Sequence, residues 1–181
     1  MSIDQQILCI QIEDIHDPLL DKVEKTYNAS FPEEERRDFS LVRKMIQDNS
    51  YFKVFALFKE NDYAGFITAW EFDDFFYVEH FAIDESARNG GIGAKAMKQF
   101  LLLCNSPVVL EVEMPLDEMS RRRIGFYERL GFKLDGHDYQ QPPYRESEGW
   151  LDMRLMSYGE IDLKKSFGNV KEKVYKYVYG Q

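Results

Sequence analysis

The apolar positions of the chain change period as it runs, and the changes mark out its elements. Ile7 to Ile12 is a short apolar run that predicts a strand, after which Leu20, Val23, Tyr27 and Phe31 recur at helical spacing. Asp17-Pro18 opens that helix, the acid capping free amides and proline being tolerated at the first helical position, and Phe31-Pro32 ends it. Ser40 starts a second short helix with Leu41, Val42, Met45 and Ile46 as its apolar positions. From Tyr51 the β-branched and aromatic content rises, and Asn61-Asp62 and Asp73-Asp74 divide the stretch into three strands of an antiparallel meander. The third of them, Phe75 to Ile83, is apolar on both faces apart from Glu79 and His80, the pattern of a central strand.

The next segment, Asp84 to Gly93, is a glycine-bearing turn that leaves into a helix with Ile92, Ala96, Met97, Phe100 and Leu101 on one face. Val108 to Val112 predicts a strand, Ser120 to Leu130 a helix stopped by Gly131, Phe132 the opening of another strand, and Leu151 to Met156 a last one. Between these lies a loop, Gly136 to Trp150, carrying Tyr139, Pro142, Pro143 and Tyr144. In residues 159–181, Phe167, Val170, Val174 and Val178 recur at near-helical spacing, which predicts an amphipathic C-terminal helix packed on the core or on a partner.

Composition narrows the function. A chain of 181 residues, 44% hydrophobic with 14 Phe and 11 Tyr, has the length for one well-packed domain. We read that domain as residues 1–158, with 159–181 as the helical extension. A net charge of −9 opposes non-specific binding to nucleic acid or anionic membranes and favours a cationic or amine-bearing substrate. Cys9 and Cys104 sit in apolar stretches and read as buried thiols, and His16, His80 and His137 lack ligand spacing, so no metal is expected. The first residues show no basic leader before an apolar run and no stretch reaches membrane-span length, so the expectation is a cytoplasmic protein with no membrane partner.

Chemistry concentrates in the turn. Exposed amides at a helix N-terminus carry partial positive charge, and consecutive glycines let that backbone approach a phosphate unobstructed. Arg88 adds a cation that can pair with two phosphate oxygens. The order Arg88-x-x-Gly91-x-Gly93 resembles the coenzyme A signature of the GCN5-related N-acetyltransferase (GNAT) family. Arg123 to Phe132, with Tyr127 near the end of a helix followed by Gly131-Phe132, is similar to that family's other signature. Two features depart from it: Asn89 where many members have Gly, and Ser120-Arg121 where they often place an Asn.

The resemblance implies a mixed, mostly antiparallel sheet of six to seven strands flanked by helices, in the α+β class. It also implies transfer of an acetyl group from acetyl-CoA to a primary amine of a small molecule or peptide, by direct attack in a ternary complex. Arg88, Asn89, Gly90, Gly91, Ile92 and Gly93 would hold the diphosphate, the main chain of Phe81, Ala82 and Ile83 would run beside the pantetheine arm, and the Tyr127 phenol would donate a proton to the departing thiolate. A protonated amine cannot attack, so a carboxylate must take its proton. Glu79 is the first choice, since burial on an otherwise apolar face would raise its pKa; Glu113 is the second, and Glu111 reads as an ion pair or an edge carboxylate. Homodimerisation is left open.

Two other readings are weighed. Gly91 to Ala96 also satisfies the dinucleotide fingerprint of an NAD(P)-binding oxidoreductase, with Glu111 or Glu113 about 20 residues on. That motif sets its first glycine at the strand end, whereas Asp84 to Gly90 intervene here, and it needs further βα units that the chain lacks room for. The third reading is a non-catalytic acyl-CoA-binding module of the same fold.

Overall fold

In the computed structural model, which describes residues 7–181, β1 (Ile7–Ile12) leads into helices α1 (Leu19–Ser30) and α2 (Phe39–Asp48). Strands β2 (Phe52–Lys59), β3 (Asp62–Glu71) and β4 (Phe76–Ile83), helix α3 (Ile92–Leu103) and strand β5 (Val108–Glu113) follow. After α4 (Glu118–Arg129) come β6 (Lys133–Leu134), β7 (Tyr139–Gln141), β8 (Leu151–Tyr158) and α5 (Leu163–Lys173), the last running into a π-helical turn, Val174–Tyr179. These elements form two units: one takes the chain up to Glu71 with Glu79–Cys104, the other Phe72–Val78 with Asn105–Gln181. The chain of β4 thus contributes to both.

In the first unit the strands follow one another in the order β1-β2-β3-β4, and β1 and β2 pair antiparallel with Cys9 opposite Leu57. The predicted meander forms because its turn residues fall between alternating apolar positions; Val54 sits opposite Thr68 in the β2–β3 pair. Asp17 accepts a hydrogen bond from the Leu19 N–H at 2.9 Å, fixing the start of α1, whose Leu20, Val23 and Tyr27 are buried with Phe66 and Trp70. Each such fully buried large apolar side chain stabilises the fold by roughly 1.5–3 kcal/mol. Phe100 of α3 meets Phe55 of β2 edge-on, ring centroids 5.3 Å apart.

In the second unit β5 lies between Phe76–Val78, with which it pairs parallel, and β8, with which it pairs antiparallel. The far edge of β8 is shared by β6 (Lys133 opposite Ser157) and β7 (Tyr139 opposite Met153). Leu163, Val170, Val174 and Val178 bury the apolar face of α5 and its final turn. Asn169 and Lys173 bind the Asp74 carboxylate at 2.9 and 2.6 Å, and Tyr177 packs on Phe72. The sheet is therefore mixed and mostly antiparallel, flanked by helices, and β4–β5 is its parallel pairing. A doubly wound dinucleotide fold, which needs successive parallel βα units, is not formed.

Two local details differ from the sequence expectation. Among the described residues there are eight strands rather than six or seven, because the one opening after Phe132 stops at Leu134. Asp135 turns the chain there, accepting from the His137 N–H at 2.9 Å, and pairing resumes at Tyr139. Helix α4 begins at Glu118, ahead of Ser120, because Asp117 and Ser120 form a reciprocal capping box.

Candidate functional site

The turn before α3 is built from backbone rather than side chains. Asp84 caps a short 3-10 turn, Glu85–Ala87, and then Asn89, Gly90 and Gly91 all take positive φ, at 84°, 66° and 72°. Glycine suits the last two and asparagine tolerates the first, so the Asn89 departure is absorbed by the same left-handed geometry. A Cβ at Gly90 or Gly91 would meet nothing within 4 Å, so these glycines are needed for their dihedral angles and not for space against the protein. The hydrogen bonds of the segment stop at Arg88 N–H on the Glu85 carbonyl, 3.4 Å, and resume at Lys95 N–H on the Gly91 carbonyl, 3.1 Å. Among the described residues no protein acceptor takes the N–H groups from Asn89 to Gly93. Consecutive open amides at a helix N-terminus are what a diphosphate requires, so the residues present fit that group. Arg88 is exposed, and its Nε donates to the Ile83 carbonyl at 3.2 Å, which leans the guanidinium back over the strand end.

Upstream, β3 approaches β4 closely at a position the sequence pattern does not mark. Gly65 has φ 152°, and a Cβ there would lie 2.2 Å from the Ala82 carbonyl oxygen and 3.0 Å from the Ile83 Cα. The path of the Phe81–Ile83 main chain therefore depends on Gly65.

Glu79 is buried, with its side chain 1% exposed, but it is not the isolated acid that its apolar strand face suggests. Arg37 donates Nε and Nη2 to one carboxylate oxygen at 3.1 and 2.8 Å, and Trp70 Nε1 donates to the other at 2.7 Å. The acid expected alone on an apolar face instead shares its burial with the Arg37 guanidinium. The same contact ties down the loop between α1 and α2. The Arg37 N–H donates to the Tyr27 hydroxyl at 2.9 Å, and His80 Nε2 bonds the Glu35 carbonyl at 2.9 Å. His80 is buried between Tyr27 and Phe31, and that burial lowers its pKa, with the Arg37 charge acting in the same direction.

In the second unit Tyr127 is buried in α4 against Phe132, 5.4 Å between ring centroids, and burial raises its phenol to about 12. It is thus protonated at neutral pH. Glu113, 40% exposed, accepts from Arg123 at 3.0 Å, and Arg122 pairs with Glu118, so the arginine run of α4 is largely spent on local acids. Glu111, on the same face of β5 two residues before Glu113, receives the Tyr139 hydroxyl on one oxygen and the Tyr179 hydroxyl on the other, the latter at 2.8 Å. Sequence reasoning named Glu111, Tyr139 and Tyr144 without joining them, and it missed Tyr179, Gly65 and the pairing of Arg37 with Glu79. The recurring tyrosines at 175, 177 and 179 were a signal for the cluster.

Cys9 and Cys104 are free and half-buried rather than buried as their apolar stretches suggest, and partial burial pushes both thiols up to about 12. Among the described residues no group of three His, Cys, Asp or Glu is placed to hold a metal ion, and no helix is long and apolar enough to cross a membrane.

Comparison with known proteins adds an independent line. The family model described as the acetyltransferase (GNAT) family matches residues 17–132. A solved structure from Bacteroides thetaiotaomicron, assigned as a GNAT-family acetyltransferase, is 38% identical with a TM-score of 0.90, covering 97% of this chain and 99% of that one. Arabidopsis thaliana Naa50, solved with the bisubstrate analogue CoA-Ac-MVNAL, is 16% identical with a TM-score of 0.61, covering 84% of this chain and 98% of its own. A spermidine N-acetyltransferase chimera of Vibrio cholerae SpeG and hSSAT is 15% identical with a TM-score of 0.60, covering 84% and 94%. At the last two identities the likeness is one of fold. No curated protein matches the sequence.

Proposed function

The chain belongs to the GNAT family of acetyltransferases, and from that premise we propose that it moves the acetyl group of acetyl-CoA onto a primary amine by direct attack in a ternary complex. The observation that carries the reading is the run of open N–H groups from Asn89 to Gly93 at the start of α3. In this proposal those amides and Arg88 hold the diphosphate, and the Phe81–Ile83 main chain runs beside the pantetheine arm.

Acetyl-CoA supplies the thioester; the chain supplies binding, orientation and proton handling. Tyr127, at about 12, is a weaker acid than a thiol at roughly 8.5, so outright proton transfer to the departing sulfur is uphill. Its part is a hydrogen bond to the developing thiolate. Glu113, partly exposed on β5, is assigned the amine proton, directly or through water. Glu79 is assigned the placing of the α1–α2 loop through Arg37, with a proton role only if that pair opens.

The acceptor is a small-molecule or peptide amine: Naa50 carries a peptide-derived analogue and the SpeG chimera is named for spermidine. A net charge of −9 favours such cations over nucleic acid. The two free, half-buried cysteines suit a reducing cytoplasm.

Thermal shift and thiol release test the reading together. Acetyl-CoA should raise Tm while NADH does not, and CoA should be released in proportion to added amine. Stabilisation by NADH alone, or thiol release indifferent to every amine offered, would overturn it.

A further inference from the structure

The open amides before α3 are placed by what precedes them. Asn89, Gly90 and Gly91 set the dihedral angles of the turn, but two successive glycines leave its direction free unless its entry is held. Asp84 holds that entry. Its N–H donates to the Ala64 carbonyl of β3 at 2.9 Å, and its own carbonyl accepts from the Ala87 N–H at 2.9 Å. One carboxylate oxygen accepts from the Ser86 N–H at 3.1 Å and the Ser86 hydroxyl at 2.6 Å. The other accepts from the Thr26 hydroxyl at 2.7 Å.

Thr26 belongs to α1, 58 residues before Asp84, and is buried. A hydroxyl has one proton to give. The Lys22 carbonyl lies 3.1 Å from Thr26 Oγ1, so the shorter contact, to a charged acceptor, takes the larger share of it. Tyr63 of β3 completes the chain, donating its hydroxyl to Thr26 Oγ1 at 3.2 Å. Burial raises the pKa of that phenol, so Tyr63 stays a donor. The Ser86 hydroxyl, helped by that of Thr26 against the cost of burial, lowers the pKa of Asp84, so the carboxylate stays an acceptor. The run from Tyr63 through Thr26 to Asp84 therefore has one direction, and each bond polarises the next.

The two clamps on Asp84 differ in kind. Ser86 is exposed, so water can stand in for its hydroxyl. Thr26 is out of reach of solvent, and Leu20, Val23 and Tyr27 fix α1 around it in the core, so nothing replaces its bond once lost. A buried hydroxyl on α1 thus sets the point from which the Arg88–Gly93 turn leaves β4.

We propose that Asp84 and Thr26 are positioning residues for the cofactor, their shared hydrogen bond holding the open amides of the turn where a diphosphate can meet them. The proposal rests on the reading of that turn as the cofactor site, and its test carries one readout that does not. By calorimetry, Asp84→Asn should weaken the CoA Kd about tenfold and Thr26→Val, which keeps the shape and loses the hydroxyl, about fivefold. Thr26→Ser, which restores the hydroxyl, should return the Kd to within about twofold of wild type. In turnover the loss should fall on the KM for acetyl-CoA, with kcat at saturation within about twofold. In ligand-free ¹⁵N-labelled protein, the order parameters of Gly90 and Gly91 should drop by at least about 0.1 in Thr26→Val and recover in Thr26→Ser. Should Asp84→Asn fail to fold, Ser86→Ala, at an exposed position, takes its place with a loss of about threefold. Wild-type Kd and wild-type order at Gly90 and Gly91 in these variants would overturn the proposal even if their Tm falls, since the contact would then serve stability alone. If the wild type binds no CoA while the order parameters respond as described, the anchoring of the turn stands and the cofactor reading falls.

Discussion

The turn at Arg88–Gly93 and the cluster around Glu111 are built from opposite materials. The first holds its N–H groups open through three successive positive φ angles, and the side chains at two of those positions are absent altogether. The second fixes one carboxylate with hydroxyls from Tyr139 and Tyr179, residues far from it along the chain. A backbone site is local: once its dihedral angles and its entry are set, it tolerates changes elsewhere. A side-chain site is only as good as the packing of every segment that feeds it.

Substitutions can break this contrast, and the largest effect is expected where a side chain of the first unit is structural. Arg37→Ala leaves the buried Glu79 carboxylate without its guanidinium and should cost about 3 kcal/mol in urea unfolding, with CoA affinity changed less than about threefold. A large loss of CoA affinity with little loss of stability would show that the loop belongs to the cofactor site instead.

Next in size, Gly91→Val places a β-branched residue at φ 72° and should raise the KM for acetyl-CoA about a hundredfold, whereas Arg88→Ala should raise it only about fivefold. Equal effects would mean that the guanidinium, not the amides, carries the binding. Tyr127→Phe should lower kcat about tenfold with the KM for acetyl-CoA within about twofold, since a thiolate is already a fair leaving group.

The smallest effect is in pH. His80 has a folded pKa below its ordinary value near 6.5, so the unfolded chain takes up a proton that the folded chain refuses. Stability is complete above that unfolded value and declines as pH falls toward the folded one. Tm should drop between pH 7 and pH 5, and His80→Gln, though less stable overall, should show a flatter profile over that window.

What could be read from the sequence follows the same division. The strand, glycine turn and helix around Gly91, and the helix bearing Tyr127 before Gly131-Phe132, depend on neighbours within a few residues and were legible. Gly65 was not, because its necessity comes from the Ala82 carbonyl on the next strand. Glu79 looked like a lone acid because its partners, Arg37 and Trp70, lie on other elements. Glu111 looked like an edge carboxylate because Tyr179 reaches it from 68 residues away, in a segment beyond the residues that match the family model. Such contacts are set by packing, and no periodicity announces them.

The account turns on the open amides before α3, and a crystal structure with CoA bound measures them directly. The diphosphate oxygens should lie about 3 Å from the main-chain nitrogens between Asn89 and Gly93. A diphosphate seated elsewhere, with those amides turned onto protein carbonyls, would contradict it.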